Sequence, residues 1–330
     1  MKTRALVFFL GLLSVAFAQD PQRDPKRLPV NDKKVPAGVE DMLAIEAALK
    51  SVLPPARNAT VCLELGQGSG SGVIISADGL ILTAAHVSGG VAKDITAILA
   101  DGRKVKCESL GLNSETDSAM VKILDKGPFP FVELDKSDFT RLGDWVFSLG
   151  HSGGYDKDRG AGVRLGRLVK VADSTLQSDC TLIGGDSGGP LFDLAGRLIG
   201  IHSRVGQRLG ENMHVPIREF VRHWDDLAAG KFIGEGPFAE KPKKGTGFLG
   251  IGTEDSGEGK IRVTKIGRES PAENAGIKVG DFIVAIDGKK LKDKEAMQKY
   301  LKDKAADEKI TIMLLRGGKD KEIILRLGAR

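Results

Sequence analysis

From Thr60 to about Val215 the apolar residues come in short runs, VCLEL, GVIIS, LILTAAHV, SAMVKIL, DWVFSLG and RLIGIHS, separated by glycine-bearing turns. Runs this short fit strands better than buried helices, so the stretch reads as a barrel or sandwich of many short strands. Glycine supplies the turns: it makes up 43 of 330 residues, nearly twice the usual share of about 7%. Hydrophobic content of 41% and charged content of 28% are ordinary for a globular protein and exclude a disordered chain, a collagen or a membrane bundle. A chain of 330 residues has room for about two domains. The formal charge of +5 spreads 49 basic residues among 44 acidic ones with no basic stripe, so nucleic acid is not an expected partner.

Lys2 and Arg4 precede the apolar run Ala5 to Phe17, and Ala16-Phe17-Ala18 forms an A-x-A cleavage site. Residues 1–18 therefore read as a secretory signal peptide, too short to span a bilayer, and no membrane span is expected after its removal. Residues 19–53 read as a charged, proline-rich flexible leader followed by a short helix from Val39 to Leu53, which Pro54-Pro55 should stop. The strand-rich domain is placed at 54–229, and a Gly, Pro and Lys-rich linker at 230–246. A second domain, 247–330, mixes the strands KIRVTKI, DFIVAID, KITIMLL and KEIILRL with helices at Ser270 to Ala275 and about Asp293 to Lys302. Cys62, Cys107 and Cys180 show neither CxxC spacing nor disulfide density and are expected to remain thiols. Asn58-Ala59-Thr60 is a glycosylation sequon only in a eukaryotic host.

Two G-x-S-x-G matches occur, Gly150 to Gly154 and Gly185 to Gly189. Gly188-Gly189-Pro190 cannot begin the helix that an α/β-hydrolase elbow needs after its serine. The order His86 in LTAAHV, Asp117 in TDSAMVKI and Ser187 in GDSGGP is instead that of chymotrypsin-like double barrels. A serine hydroxyl needs a neutral imidazole to take its proton, and the imidazole needs a carboxylate to fix its tautomer. His86 and Asp117 fill those roles, and the backbone N–H groups of Gly185 and Ser187 are the expected oxyanion donors. His151, His202, His214 and His223 lack such context and read as structural. No zinc pattern or cofactor motif is present. Gly245-Thr-Gly247-Phe-Leu-Gly250 matches a dinucleotide fingerprint only formally, since a basic linker precedes it where a buried strand is required. Its better reading is a loop whose backbone N–H groups capture a peptide C-terminal carboxylate, the alternative being a plain tight turn before a strand. Ile251 then opens the strand edge that a ligand extends.

Gly68-Ser-Gly-Ser-Gly72, the His86, Asp117 and Ser187 motifs and the SPA…AG…GD…I…G block from Ser270 to Gly288 together resemble the HtrA/Deg family over about residues 55–330. The resemblance implies a mainly β fold, a chymotrypsin-like double β-barrel followed by one PDZ domain. It further implies a secreted or periplasmic serine endopeptidase of protein quality control that acts on unfolded or damaged proteins and tends to form homotrimers. By motif, the resemblance implies that Leu182, Ser203, Arg204 and Val205 wall the primary specificity pocket, that Phe248, Leu249 and Gly250 form the loop presenting N–H groups to a carboxylate, and that Met297 and Leu301 wall the apolar pocket of the PDZ groove. The chain departs from the family pattern at Asp186, where Asn is usual, at Ser118, where Leu is usual, and at Ile183-Gly184, where Asn-Pro is usual. The rival reading is a chaperone-like binding protein of the same fold with an idle triad.

Overall fold

The computed structural model describes residues 24, 26–66, 68–134, 139–208 and 210–329. The expected signal peptide, residues 1–18, lies outside the described residues. Strand alternation builds the first barrel from β1 (Thr60–Leu65), β2 (Gly68–Ile74), β3 (Leu80–Ala84), β4 (Asp94–Ile98), β5 (Lys104–Asn113) and β6 (Ser118–Ile123). Along β5 Val105, Cys107 and Ser109 turn inward while Lys104 and Lys106 face water, the period of two that a half-buried strand requires. The strands follow the order β5-β4-β1-β2-β3-β6, and a β5–β6 pairing closes the ring. A second closed barrel, ordered β10-β11-β12-β9-β8-β7, is formed by β7 (Trp145–Gly150), β8 (Gly162–Ala172), β9 (Thr175–Ser178), β10 (Pro190–Asp193), β11 (Leu198–Val205) and β12 (Asn212–Pro216). Closure leaves little open edge, that of β5 beyond its pairing with β4 being the exception.

One core cluster runs across the seam between the barrels, joining Val73, Leu82 and Met120 of the first to Phe147, Phe192 and Ile201 of the second. The Phe147 and Phe192 rings stack at 5.1 Å. The C-terminal domain has its own core, including Leu249, Ile261, Ile283, Met297 and Ile312. Its helices Pro271–Asn274 and Lys294–Lys302 fall where the sequence placed them, capped by the Ser270 and Asp293 side chains. Among the described residues no helix is long and apolar enough to cross a membrane. All three cysteines are buried free thiols, and burial pushes Cys62 up to about 11, Cys107 to about 12 and Cys180 to about 11.

Three expectations need correction. First, α1 runs from Val39 to Ala59 and does not stop at Pro54-Pro55. The two prolines, and Lys50 and Ser51, whose carbonyls they leave unbonded, are all exposed. That exposure leaves those carbonyls open to solvent while Ala56 and Ala59 pack into the core. Second, the leader is pinned from Asp24 onward. Arg197 donates to both Asp24 oxygens, Arg27 pairs with Asp144, the Trp145 N–H donates to Asn31 Oδ1, and Val30 is buried. Third, the linker is docked. Phe232–Ile233 adds a parallel strand beside Leu112 and Asn113 of β5, and Phe238 packs with Ala85, Leu112 and Ala119. Ion pairs Glu108–Lys309, Asp94–Arg326 and Lys93–Asp307 join the C-terminal domain to the first barrel. Composition could not show partners so distant in the chain.

Arg197 also binds Asp193, so one guanidinium serves two largely buried carboxylates. Arg197→Ala strands both charges, and a loss of about 3–5 kcal/mol in unfolding free energy is expected from urea titration. A loss under about 1 kcal/mol would show that the leader contributes no pin.

Candidate active site

β3 delivers His86 at the start of α2 (Ala85–Ser88), a single turn closed by Gly89 at a positive φ of 70°. Asp117 occupies the tight connection before β6 with φ 64°, a conformation Asp tolerates better than most residues. Its carboxylate is fully buried and takes the His86 backbone N–H at 3.1 Å. His86 Nδ1 lies 3.0 Å from both oxygens of the same carboxylate. A carboxylate can only accept here, so Nδ1 carries a hydrogen, and in the neutral tautomer this leaves the lone pair on Nε2. The fourth member is Ser203, whose Oγ donates to Asp117 Oδ2 at 2.5 Å.

Ser187 stands on the turn between β9 and β10. Its hydroxyl rests 3.5 Å from the Ser203 carbonyl, the outer limit of a hydrogen bond, and makes no hydrogen bond to His86 among the described residues. Rotation about χ1 is the motion that redirects it. Gly188 brings the turn against the histidine's strand, since a Cβ there would meet Ser71 O and Thr83 Oγ1 at 2.2 Å. The preceding residues are sewn to the loop after β7. Gly153 N–H donates to Gly184 O at 2.7 Å. Ser71 Oγ bridges, donating to Gly185 O while accepting His151 N–H, each at 2.8 Å. Ser152 Oγ donates to Asp186 Oδ1 at 2.6 Å. Ile183 N–H and the Arg164 guanidinium, 3.1 Å away, satisfy the other oxygen of that fully buried carboxylate. Asp186 thus finds its counter-charge in Arg164, on β8. Among the described residues the N–H groups of Gly185 and Ser187 have no partner within the protein, which leaves both free to receive an oxyanion.

The pocket expectations fare unevenly. Leu182 is buried, with its N–H held by Asn212. Ser203 turns to Asp117 rather than into a pocket. Arg204 is exposed and its guanidinium lies over the Phe238 ring at 5.1 Å, and Val205 is 54% exposed. A bulge between His202 and Arg204 accounts for these directions. In the C-terminal domain Ile251–Asp255 is the terminal strand of its sheet, paired on one side with Ile261–Ile266. Its other edge faces helix Lys294–Lys302, whose N-terminal Lys294 N–H donates to Asp255. Phe248 is half-exposed, Leu249 is buried, and Gly250 has φ 82°. Met297 belongs to the domain core, with Leu301 packed against it.

The roles of Ser203, Arg164 and Ser152 beside the site escaped the sequence reading, as they follow from pairings across strands that no motif marks. His202 and His214, expected to be structural, form a buried relay under the Ser187 turn. Ser178 Oγ lies 2.8 Å from His214 Nε2, the two Nδ1 atoms are 2.9 Å apart, and His202 Nε2 lies 3.1 Å from Leu149 O. The Leu149 carbonyl can only accept, so the relay is satisfied with both rings neutral and runs from Ser178 toward Leu149.

A trypsin-like peptidase domain model matches residues 70–201, which include His86, Asp117 and Ser187, and a PDZ domain model matches 247–327. The putative serine protease HhoA of Synechocystis is 31% identical over 274 residues, covering 76% of this chain and 68% of that protein. The chain belongs to the HtrA family. A probable periplasmic serine endoprotease, DegP-like, of Rickettsia conorii is 29% identical over 282 residues, 78% of this chain. This HtrA-family chain spans about half the length of such curated relatives, 53% in that case. The solved serine endoprotease from Yersinia pestis is 25% identical, covering 90% of this chain and 99% of that one at a TM-score of 0.49.

Burial pushes His202 down to about 3 and His214 well below the ordinary value. A ring whose folded pKa lies below its unfolded value of about 6.5 stabilises fully above pH 6.5 and loses that contribution as pH falls. Between pH 6.5 and about 3 the His202 ring should cost up to about 1.4 kcal/mol per pH unit, and His214 acts in the same direction. Urea midpoints at pH 7, 5.5 and 4.5 should therefore fall, and the fall should flatten in a His202→Gln/His214→Asn variant. A slope unchanged in that variant would remove the pair from the acid response.

Proposed function

We propose that the chain is a serine endopeptidase acting on unfolded or damaged proteins outside the cytoplasm. The observation that carries this reading is the His86–Asp117 pair beside a serine turn that keeps two backbone N–H groups unpaired. Ser187 Oγ attacks the scissile carbonyl while His86 Nε2 takes its proton and later returns it to the leaving amine. Asp117, steadied by Ser203, holds the imidazole tautomer and stabilises the imidazolium. Gly185 and Ser187 N–H groups receive the oxyanion, each such donor typically contributing about 3 kcal/mol to the transition state. A fluorophosphonate probe should label Ser187 and fail to label the His86→Ala protein. Casein turnover should fall by several orders of magnitude in either His86→Ala or Ser187→Ala. Persistent casein hydrolysis by a contaminant-free Ser187→Ala protein would remove the enzyme reading, and an unlabelled, inactive native chain would favour the chaperone-like one.

The C-terminal domain, in the same proposal, binds peptide C-termini by strand addition to the open edge of Ile251–Asp255, with carboxylate capture at Phe248, Leu249 and Gly250. Binding to the intact Ser187→Ala chain should weaken at least tenfold when an apolar-ended peptide is amidated, because charged hydrogen bonds contribute about 1.5–3 kcal/mol. Equal affinities would make the domain a spacer or assembly element. Periplasmic location follows the names of the relatives, and homotrimer formation follows the family resemblance.

A further inference from the structure

Between the end of α1, the turn at Ala100 and the loop 151–161 lies a cleft of about 180 Å³ lined by Arg57, Asn58, His151, Tyr155, Arg159 and Ala161. Every polar side chain among these six can donate a hydrogen bond, and no carboxylate lines the cleft. His151 is 1% exposed, yet neither ring nitrogen has a hydrogen-bond partner; the Thr60 carbonyl approaches the ring without closing a bond. Burial, with Arg159 adding to it, holds the ring below its usual pKa, so at neutral pH it offers one N–H and one lone pair. The Arg159 guanidinium bonds only carbonyls, those of Ser152 at 2.6 Å and Gly154 at 3.4 Å. Among the described residues Arg57 has no partner for its guanidinium. The unpartnered Arg57, an Arg159 guanidinium that bonds only carbonyls although the Asp156 charge lies near it, and an unsatisfied buried imidazole thus converge on one cleft.

We propose that this cleft binds a compact tetrahedral oxyanion of the phosphate or sulfate class. Its size gives room for such an ion with part of its hydration shell. Guanidinium groups suit such ligands because their planar N–H forks match oxyanion geometry. The location gives the ion a consequence. Loop residues His151, Ser152 and Gly153 are those that hold Gly185, Asp186 and Gly184 in place, His151 acting through Ser71. An anion bridging Arg57 on α1 to His151 and Arg159 on the loop fastens that support to the rigid end of the helix.

Inorganic phosphate titrated calorimetrically into the full chain carrying Ser187→Ala, in chloride of matched ionic strength, tests this without any hydrolysis readout. A saturable one-site isotherm is expected, together with slower amide exchange across 151–161. Arg57→Ala, at an exposed position, and Arg159→Met should each bind phosphate at least tenfold more weakly while keeping the native circular dichroism. Heats indistinguishable from those of added chloride, or unchanged phosphate affinity in both variants, would overturn the proposal. Arg57 would then serve only as a counter-charge to the carbonyl end of α1.

Discussion

The carboxylate of Asp186 is fully buried one residue before the candidate nucleophile, and much of the surrounding structure answers that single charge. A buried anion is tolerable only when a cation and hydrogen-bond donors meet it with good geometry. Arg164, Ser152 and Ile183 N–H supply these, drawn from β8, the loop after β7 and the turn itself. The same requirement draws residues 151–153 against residues 184–186. At Ile183-Gly184, where the family resemblance leads one to expect Asn-Pro, these cross-strand bonds hold the turn.

Glycine makes that contact possible. A Cβ at Gly185, which has φ 96°, would meet His151 O at 2.4 Å and Gly153 N at 2.6 Å. Below the turn, the His202–His214 relay ties β11 and β12 to Leu149 on β7, while His202 also exchanges backbone bonds with Gly188 and Gly189. The serine is therefore braced by the loop after β7 on one side and by a neutral buried relay on another. Both braces belong to the second barrel, whereas His86 and Asp117 belong to the first. Packing across the seam, through Leu82, Met120, Phe147 and Phe192, holds the two halves in register.

Leader and linker show how composition misleads about order. Pro- and Lys-rich segments have little apolar surface to bury, which favours disorder unless another part of the fold supplies partners. Here Arg197, Asp144 and Trp145 bind the leader, and the edge of β5 receives the linker strand. Phe238 of the linker then lies against Arg204, so the linker borders the region assigned to substrate side chains.

The sequence by itself determined the strand-rich class, the two-domain order, the places of the C-terminal helices and the pairing of His86 with Asp117. Each of these is written locally: a period of two, a turn glycine, helical spacing, or a motif whose residues sit at fixed offsets from a strand end. Tertiary structure alone decided that α1 continues through Pro54-Pro55, that Ser203 faces Asp117 instead of a pocket, and that Asp186 finds Arg164. These outcomes depend on which atoms meet across strands far apart in the chain. Burial, hydrogen-bond satisfaction and a one-residue bulge set those meetings, and none of the three leaves a periodic trace in the order of residues.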